Sequence, residues 1–110
     1  MSNHILGRKN PNPKYKVYKN FPAFLTLDAD NTFGHAAGFK AIDLGMTSAK
    51  KYGLSAVSVI NSSHPGAMAS FALKAARKGY MAFAFTHADS LVCSYNSKDT
   101  YFGTNPICFA

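Results

Sequence analysis

The chain has 110 residues, 47% of them hydrophobic and 15% charged, which is enough apolar material for one core and argues against a disordered polypeptide or a second domain. The formal net charge is +7, but five basic residues (Arg8, Lys9, Lys14, Lys16 and Lys19) lie in the first 20 positions with no acid. The remainder holds seven basic and five acidic residues and is nearly neutral. No stretch approaches the roughly 18 apolar residues that cross a bilayer, and no apolar leader opens the chain, so a soluble, cytoplasmic protein is expected.

Residues 1–21, with Asn10-Pro11-Asn12-Pro13, read as a solvated, extended basic arm ahead of an α/β unit over 22–110. A nucleic-acid-binding arm is the lesser reading, because no helix-turn-helix, stacking motif or metal-held finger accompanies it. Ala23 to Leu27 reads as a first strand, ended by the turn formers Asp28-Ala29-Asp30-Asn31. From Gly34 to Tyr52, Ala37, Ala41, Leu44, Gly45, Ser48 and Tyr52 recur at three- and four-residue steps, which predicts an amphipathic helix. Lys50 and Lys51 suit its negative end, and Gly53 suits a left-handed stop.

Leu54 to Ile60 is rich in β-branched residues and predicts a second strand, followed by Asn61-Ser62-Ser63-His64-Pro65-Gly66. Ser62 or Ser63 could cap a second helix with Pro65 in its first turn and a stripe of Met68, Phe71, Ala72 and Ala75. Tyr80 to Phe85 is then a third strand with its exit at Thr86 to Ser90, and Ile107 to Ala110 is an apolar strand with an exposed edge. Strand, helix, strand, helix, strand is the pattern of successive crossovers in a parallel sheet. All three exits (Asp30-Asn31, Ser63-His64 and Ala88-Asp89) would then gather on one sheet edge. A mixed sheet keeps the same elements but changes which loops are neighbours.

His64 is the first candidate for chemistry. It stands at a strand exit ahead of a predicted helix whose positive N-terminal end disfavours an imidazolium, and a neutral ring can exchange a hydroxyl proton in either direction. A loop histidine is by itself more often a surface or capping residue. Asp89 could orient the imidazole or bind a hydroxyl, although an Asp in a turn commonly caps its own backbone. His4, His35, His64 and His87 show no metal-ligand spacing, and the chain has no Glu, so no metal site is expected. Cys93 and Cys108 form no Cys-x-x-Cys pair and read as two buried, reduced thiols. No Gly-x-Ser-x-Gly elbow and no Gly-x-Gly-x-x-Gly loop is present, so a dinucleotide, if bound, binds outside the usual fingerprint.

Four stretches, LDADNTFG (27–34), GMTSA (45–49), NSSHPGA (61–67) and YFGTNPICFA (101–110), resemble the malate/L-lactate dehydrogenase family, with ureidoglycolate dehydrogenases looking closest. The resemblance runs over roughly residues 8 to 110 and about a third of a family member, as an internal piece of one. It implies a partial three-layer α/β/α sandwich of the sulfolactate-dehydrogenase-like type, with a mixed sheet and not a Rossmann fold. It also implies NAD or NADP as cofactor, a small 2-hydroxy or 2-keto acid as substrate, and a homo-oligomer, a dimer or larger. By the same resemblance His64 is the proton acceptor and Asp89 part of the active-site wall. Ala88 stands where relatives place a cofactor-contacting serine, and Asn105 and Ser63 fall in the substrate pocket. Ser94-Tyr95-Asn96-Ser97 departs from the Pro-x-Gly-Gly turn usual in relatives.

The function expected is therefore NAD(P)-dependent interconversion of a small 2-hydroxy acid and its 2-keto acid, with little or no turnover from these 110 residues alone. The rivals are a non-catalytic interaction module and an anion or nucleic-acid binder acting through the basic arm.

Overall fold

The computed structural model describes residues 9–110. Its elements in chain order are β1 (Lys16–Phe21), β2 (Phe24–Asp28), α1 (Gly34–Tyr52), β3 (Ala56–Ile60), α2 (Ala69–Ala76), β4 (Phe83–Phe85), β5 (Val92–Cys93), β6 (Thr100–Phe102) and β7 (Ile107–Phe109). Arg8 and His4 of the basic segment lie outside the described residues.

The main sheet has the order β1-β2-β3 and is mixed. β1 runs antiparallel to β2, with a register shift between Lys19 and Phe21, and β2 runs parallel to β3 from Phe24 opposite Ala56 to Asp28 opposite Ile60. A parallel pair needs a crossover, and α1 supplies it, packing across β2 and β3. β2 buries Leu25 and Leu27 on one face, as period-two alternation requires, and α1 buries Ala37 and Ala41. Residues 16–21, read from the sequence as the end of an arm, form the outer strand of this sheet. Asn10 and Lys14 also bond to the β2–α1 turn, through Asn10 N–H to Asn31 O at 3.0 Å and Lys14 N–H to Asp30 Oδ2 at 3.0 Å.

α1 matches its expected span and ends at Gly53, whose φ of 90° lets its N–H reach Ala49 O at 2.7 Å. α2 corrects the expectation. It starts at Ala69, five residues after His64, so Pro65 is not in its first turn. Gly66 takes φ 82°, which no helix tolerates, and the Ser63 hydroxyl is engaged elsewhere. The helices meet where a Cβ on Gly38 would overlap the Phe71 ring, and the rings of His35, Phe39 and Phe71 cluster there 4.8 to 5.7 Å apart, Phe39 edge-on to both others and His35 tilted against Phe71. Lys74 Nζ reaches Asp43 Oδ1 at 2.8 Å across the same seam.

The expectation of three parallel strands in one sheet is also corrected. β4 pairs antiparallel with β7 in a separate two-stranded sheet, Phe83 opposite Phe109 and Phe85 opposite Ile107. Periodicity identifies a strand but not its neighbour, and the matching apolar alternation of Ile107 to Phe109 takes the pairing. The inner face of this pair, Ala84 and Cys108, packs on a second core of Met46, Ala72, Ala75 and Ala82. β5 and β6 form a short antiparallel pair, all of whose strand residues are exposed. Cys93 on β5 is accordingly exposed rather than buried, while Cys108 is partly buried, and both are free thiols.

Candidate active site

β2 and β3 deliver two loops to the same sheet edge because they are parallel and in register. The pairing continues past the strands, with Ala29 N–H bonded to Ile60 O at 3.0 Å and Asn31 N–H to Asn61 O at 2.8 Å. Following these loops requires left-handed backbone at Asp30 (φ 50°), Asn31 (φ 59°) and Asn61 (φ 54°), and Asn and Asp are the non-glycine residues that accept it most readily. The Asp28 carboxylate ties the bends together, accepting from Asp30 N–H at 2.9 Å and Asn61 Nδ2 at 3.2 Å. Those two bonds, with the charge of Lys16 adding to them, hold Asp28 below the usual carboxylate range.

The second loop is clamped to the first helix. Phe33 at the start of α1 has no side chain able to cap it, and Ser63 Oγ does so from across the sheet edge, accepting Gly34 N–H at 2.9 Å. The fit is close enough that a Cβ on Gly34 would overlap Ser63 O and lie 2.8 Å from His64 C. His64 follows at once and is exposed. Its Nδ1 accepts Gly66 N–H at 3.1 Å, which leaves Nε2 free and places the proton of a neutral ring there.

A separate polar contact joins the other two predicted stretches. Asn105, at φ 41°, turns its Oδ1 to Ala88 N–H at 2.9 Å, and Gly103 lies so close to Ala88 O that a Cβ there would overlap it. Asp89 is exposed, and its carboxylate accepts no hydrogen bond among the described residues. The structure thus unites Ser63 with Gly34 and Ala88 with Asn105. No hydrogen bond or ring contact among the described residues links His64 to Ala88, Asp89 or Asn105. Sequence reasoning missed Gly34, Asn61 and the role of Ser63. The available signal was a helix opening on Phe-Gly with no capping side chain of its own.

No group of three or more potential metal ligands occurs among the described residues. The fit to a nicotinamide dinucleotide is poor at the one position proposed for it: Ala88 offers only a methyl group, and its amide is already committed to Asn105. An open concavity of about 790 Å³ lies elsewhere, lined by Asp43, Thr47, Lys50, Lys51, Lys78 and Tyr80 among others. No helix of the described residues is long and apolar enough to cross a membrane.

The malate/L-lactate dehydrogenase model matches residues 3–110. The chain belongs to that family. It is 36% identical to the malate dehydrogenase of Pyrococcus abyssi over 106 residues, 96% of this chain and 29% of that protein. It is 29% identical to the ureidoglycolate dehydrogenase (NAD(+)) of Escherichia coli over 94% of this chain and 30% of that protein, so of these two the malate enzyme is the more similar. The solved sulfolactate dehydrogenase of Methanocaldococcus jannaschii superposes with a TM-score of 0.85 at 30% identity, over 96% of this chain and 30% of that one. The sulfolactate-dehydrogenase-like α/β fold with a mixed sheet is thereby established. The chain spans about 30% of the length of the relatives it matches.

Proposed function

We propose that this chain supplies the proton-exchanging part of an NAD(P)-dependent dehydrogenase that interconverts a small 2-hydroxy acid and its 2-keto acid. The observation that carries the proposal is the Ser63–Gly34 clamp, which fixes the backbone beside His64 at the exit of a parallel strand pair and leaves Nε2 unengaged. Open α/β sheets bind ligands at that edge. Family membership and the dehydrogenase names of the relatives support the substrate class.

Oxidising the hydroxy acid releases a hydroxyl proton, and reducing the keto acid requires one at the ketone oxygen. His64 serves both directions through Nε2: it takes the hydroxyl proton when the ring's own hydrogen is on Nδ1 rather than Nε2, and it returns a proton to the ketone oxygen from the doubly protonated ring. A doubly protonated ring has a hydrogen on Nδ1, where Gly66 N–H now donates, so proton uptake requires that bond to open. Gly66, at φ 82° with open space beside it, is suited to that movement. Ser63 places the loop, Asp89 binds the substrate, and Asn105 lines the pocket. NAD or NADP would provide the redox half when bound; Ala88 alone is insufficient to hold it.

The test is a chimera in which this chain replaces its matching stretch in the Methanocaldococcus jannaschii sulfolactate dehydrogenase. The expected result is measurable turnover that falls by about 10²–10⁴ in His64→Asn with the fold intact by circular dichroism. Equal turnover in the variant, or a folded chimera with none, overturns the assignment. The purified 110-residue chain alone is expected to reduce neither NAD nor NADP with malate, lactate or ureidoglycolate above the blank rate.

A further inference from the structure

From the outer face of the β4–β7 pair, we infer that this surface is a docking site for an apolar, strand-bearing polypeptide lying outside these 110 residues, one that carries the remaining layers of the family fold. The register sets Phe83 beside Phe109 and Phe85 beside Ile107, so all four side chains stand on one face. They are 67%, 59%, 72% and 76% exposed respectively, and the Phe83 and Phe109 rings pack together at 4.7 Å. With roughly 150–250 Å² per aromatic side chain, the open apolar patch is on the order of 500 Å², at the upper end of what soluble monomers leave bare. No charged residue interrupts it: residues 81–86 read MAFAFT and 106–110 read PICFA.

The edges point the same way as the face. The ladder from Ala82–Ala110 to Thr86–Pro106 uses one side of each strand, and no third strand pairs with either among the described residues. Two strands of three residues are marginal in water without further strands or a covered face. Edge N–H and C=O groups beside an apolar face are the features by which an added strand is taken up.

What covers the surface follows from the comparison. A chain that superposes at a TM-score of 0.85 on only 30% of a solved dehydrogenase reproduces one part of a longer polypeptide, and the other 70% of that polypeptide is the occupant assigned to the face. A second copy of this chain is the weaker occupant, because two molecules of net charge +7 repel one another while the patch offers no charge to offset it. The inference rests on family membership and not on the proton chemistry of His64. Its readout is binding, so the two stand or fall separately.

The experiment co-expresses the 110-residue chain with a tagged Methanocaldococcus jannaschii sulfolactate dehydrogenase from which the matching stretch is deleted. The expected result is a soluble one-to-one complex on the tag. Phe85→Asp with Ile107→Asp should lower the chain recovered at least tenfold, while Lys40→Glu on the exposed side of α1 leaves it unchanged. Phe85 and Ile107 are largely exposed, so the double variant should keep its helical circular dichroism, and that spectrum is the control. A deleted enzyme that stays insoluble with the chain present overturns the inference, as does equal recovery of wild type and double variant. A chain that sediments alone as a dimer dissociated by the double variant assigns the face to a second copy and overturns it as well.

Discussion

The imidazole of His64 is exposed and has one backbone partner among the described residues, so its removal should separate chemistry from stability. His64→Ala is expected to shift the unfolding free energy by less than about 0.5 kcal/mol, as surface substitutions usually do, measured by urea titration of the 110-residue chain. Asp28 behaves in the opposite way. Its carboxylate binds two donors at the base of both loops, and its pKa is lowered from 3.8 by the Asp30 N–H first and the Asn61 amide second. A depressed folded-state value means that the unfolded chain takes up the proton first, so the contribution is present above the unfolded pKa and is lost as pH falls through the folded one. Between about pH 5 and about pH 2 the thermal midpoint of the wild type should fall further than that of Asp28→Asn. Parallel falls would show that the two hydrogen bonds do not favour the charged form.

At the scale of elements, the contact between α1 and the β3–α2 loop carries the site. Gly34→Ala would drive a methyl group into the Ser63 backbone, which cannot swing aside as a side chain can, and about 1–3 kcal/mol of destabilisation is expected. Ser63→Ala strands the amide of buried Gly34 and should cost about 1 kcal/mol. Chemical denaturation of both single variants and the double checks this, and the double should fall short of their sum because both act on one contact. The sequence made α1, β2 and β3 legible, because their apolar periods extend over whole elements and Gly53 marks a boundary, whereas β1 is hidden in a basic segment that reads as an arm. It also made the meeting of the Asp30-Asn31 and Ser63-His64 loops legible, since adjacent parallel strands force it. It did not show that Ser63 caps the other helix, because a capping serine has the same local signature whichever amide it faces. Nor could alternation alone tell that β4 would join β7, since a three-residue strand carries too few positions to specify a neighbour.

The whole molecule is unevenly held. Leu25 and Leu27 are buried on the β1-β2-β3 side, and Phe71 and Met68 near the helix seam, whereas the core beneath β4 and β7 is built on Met46 and the alanines 72, 75 and 82. Alanine buries little area, so that second core contributes less per residue at roughly 25 cal/mol per Å². The β5–β6 pair adds nothing to it, with Leu91, Tyr95, Tyr101 and Phe102 all exposed. The radius of gyration, 15.5 Å, exceeds the roughly 13 Å of a compact domain of this size. Local opening should follow that gradient, because regions with few buried apolar contacts open at lower free energy. In hydrogen exchange of the isolated chain, the amides of β5 and β6 should exchange first, then those of β4 and β7, and those of β2, β3 and the middle of α1 last. Leu27→Ala, at a fully buried site, should cost about 2–5 kcal/mol and speed exchange in the last group most. If all these amides instead exchanged at one rate set by global unfolding, the two cores would be a single cooperative unit, and the β4–β7 face would be as firmly built as the sheet that presents His64.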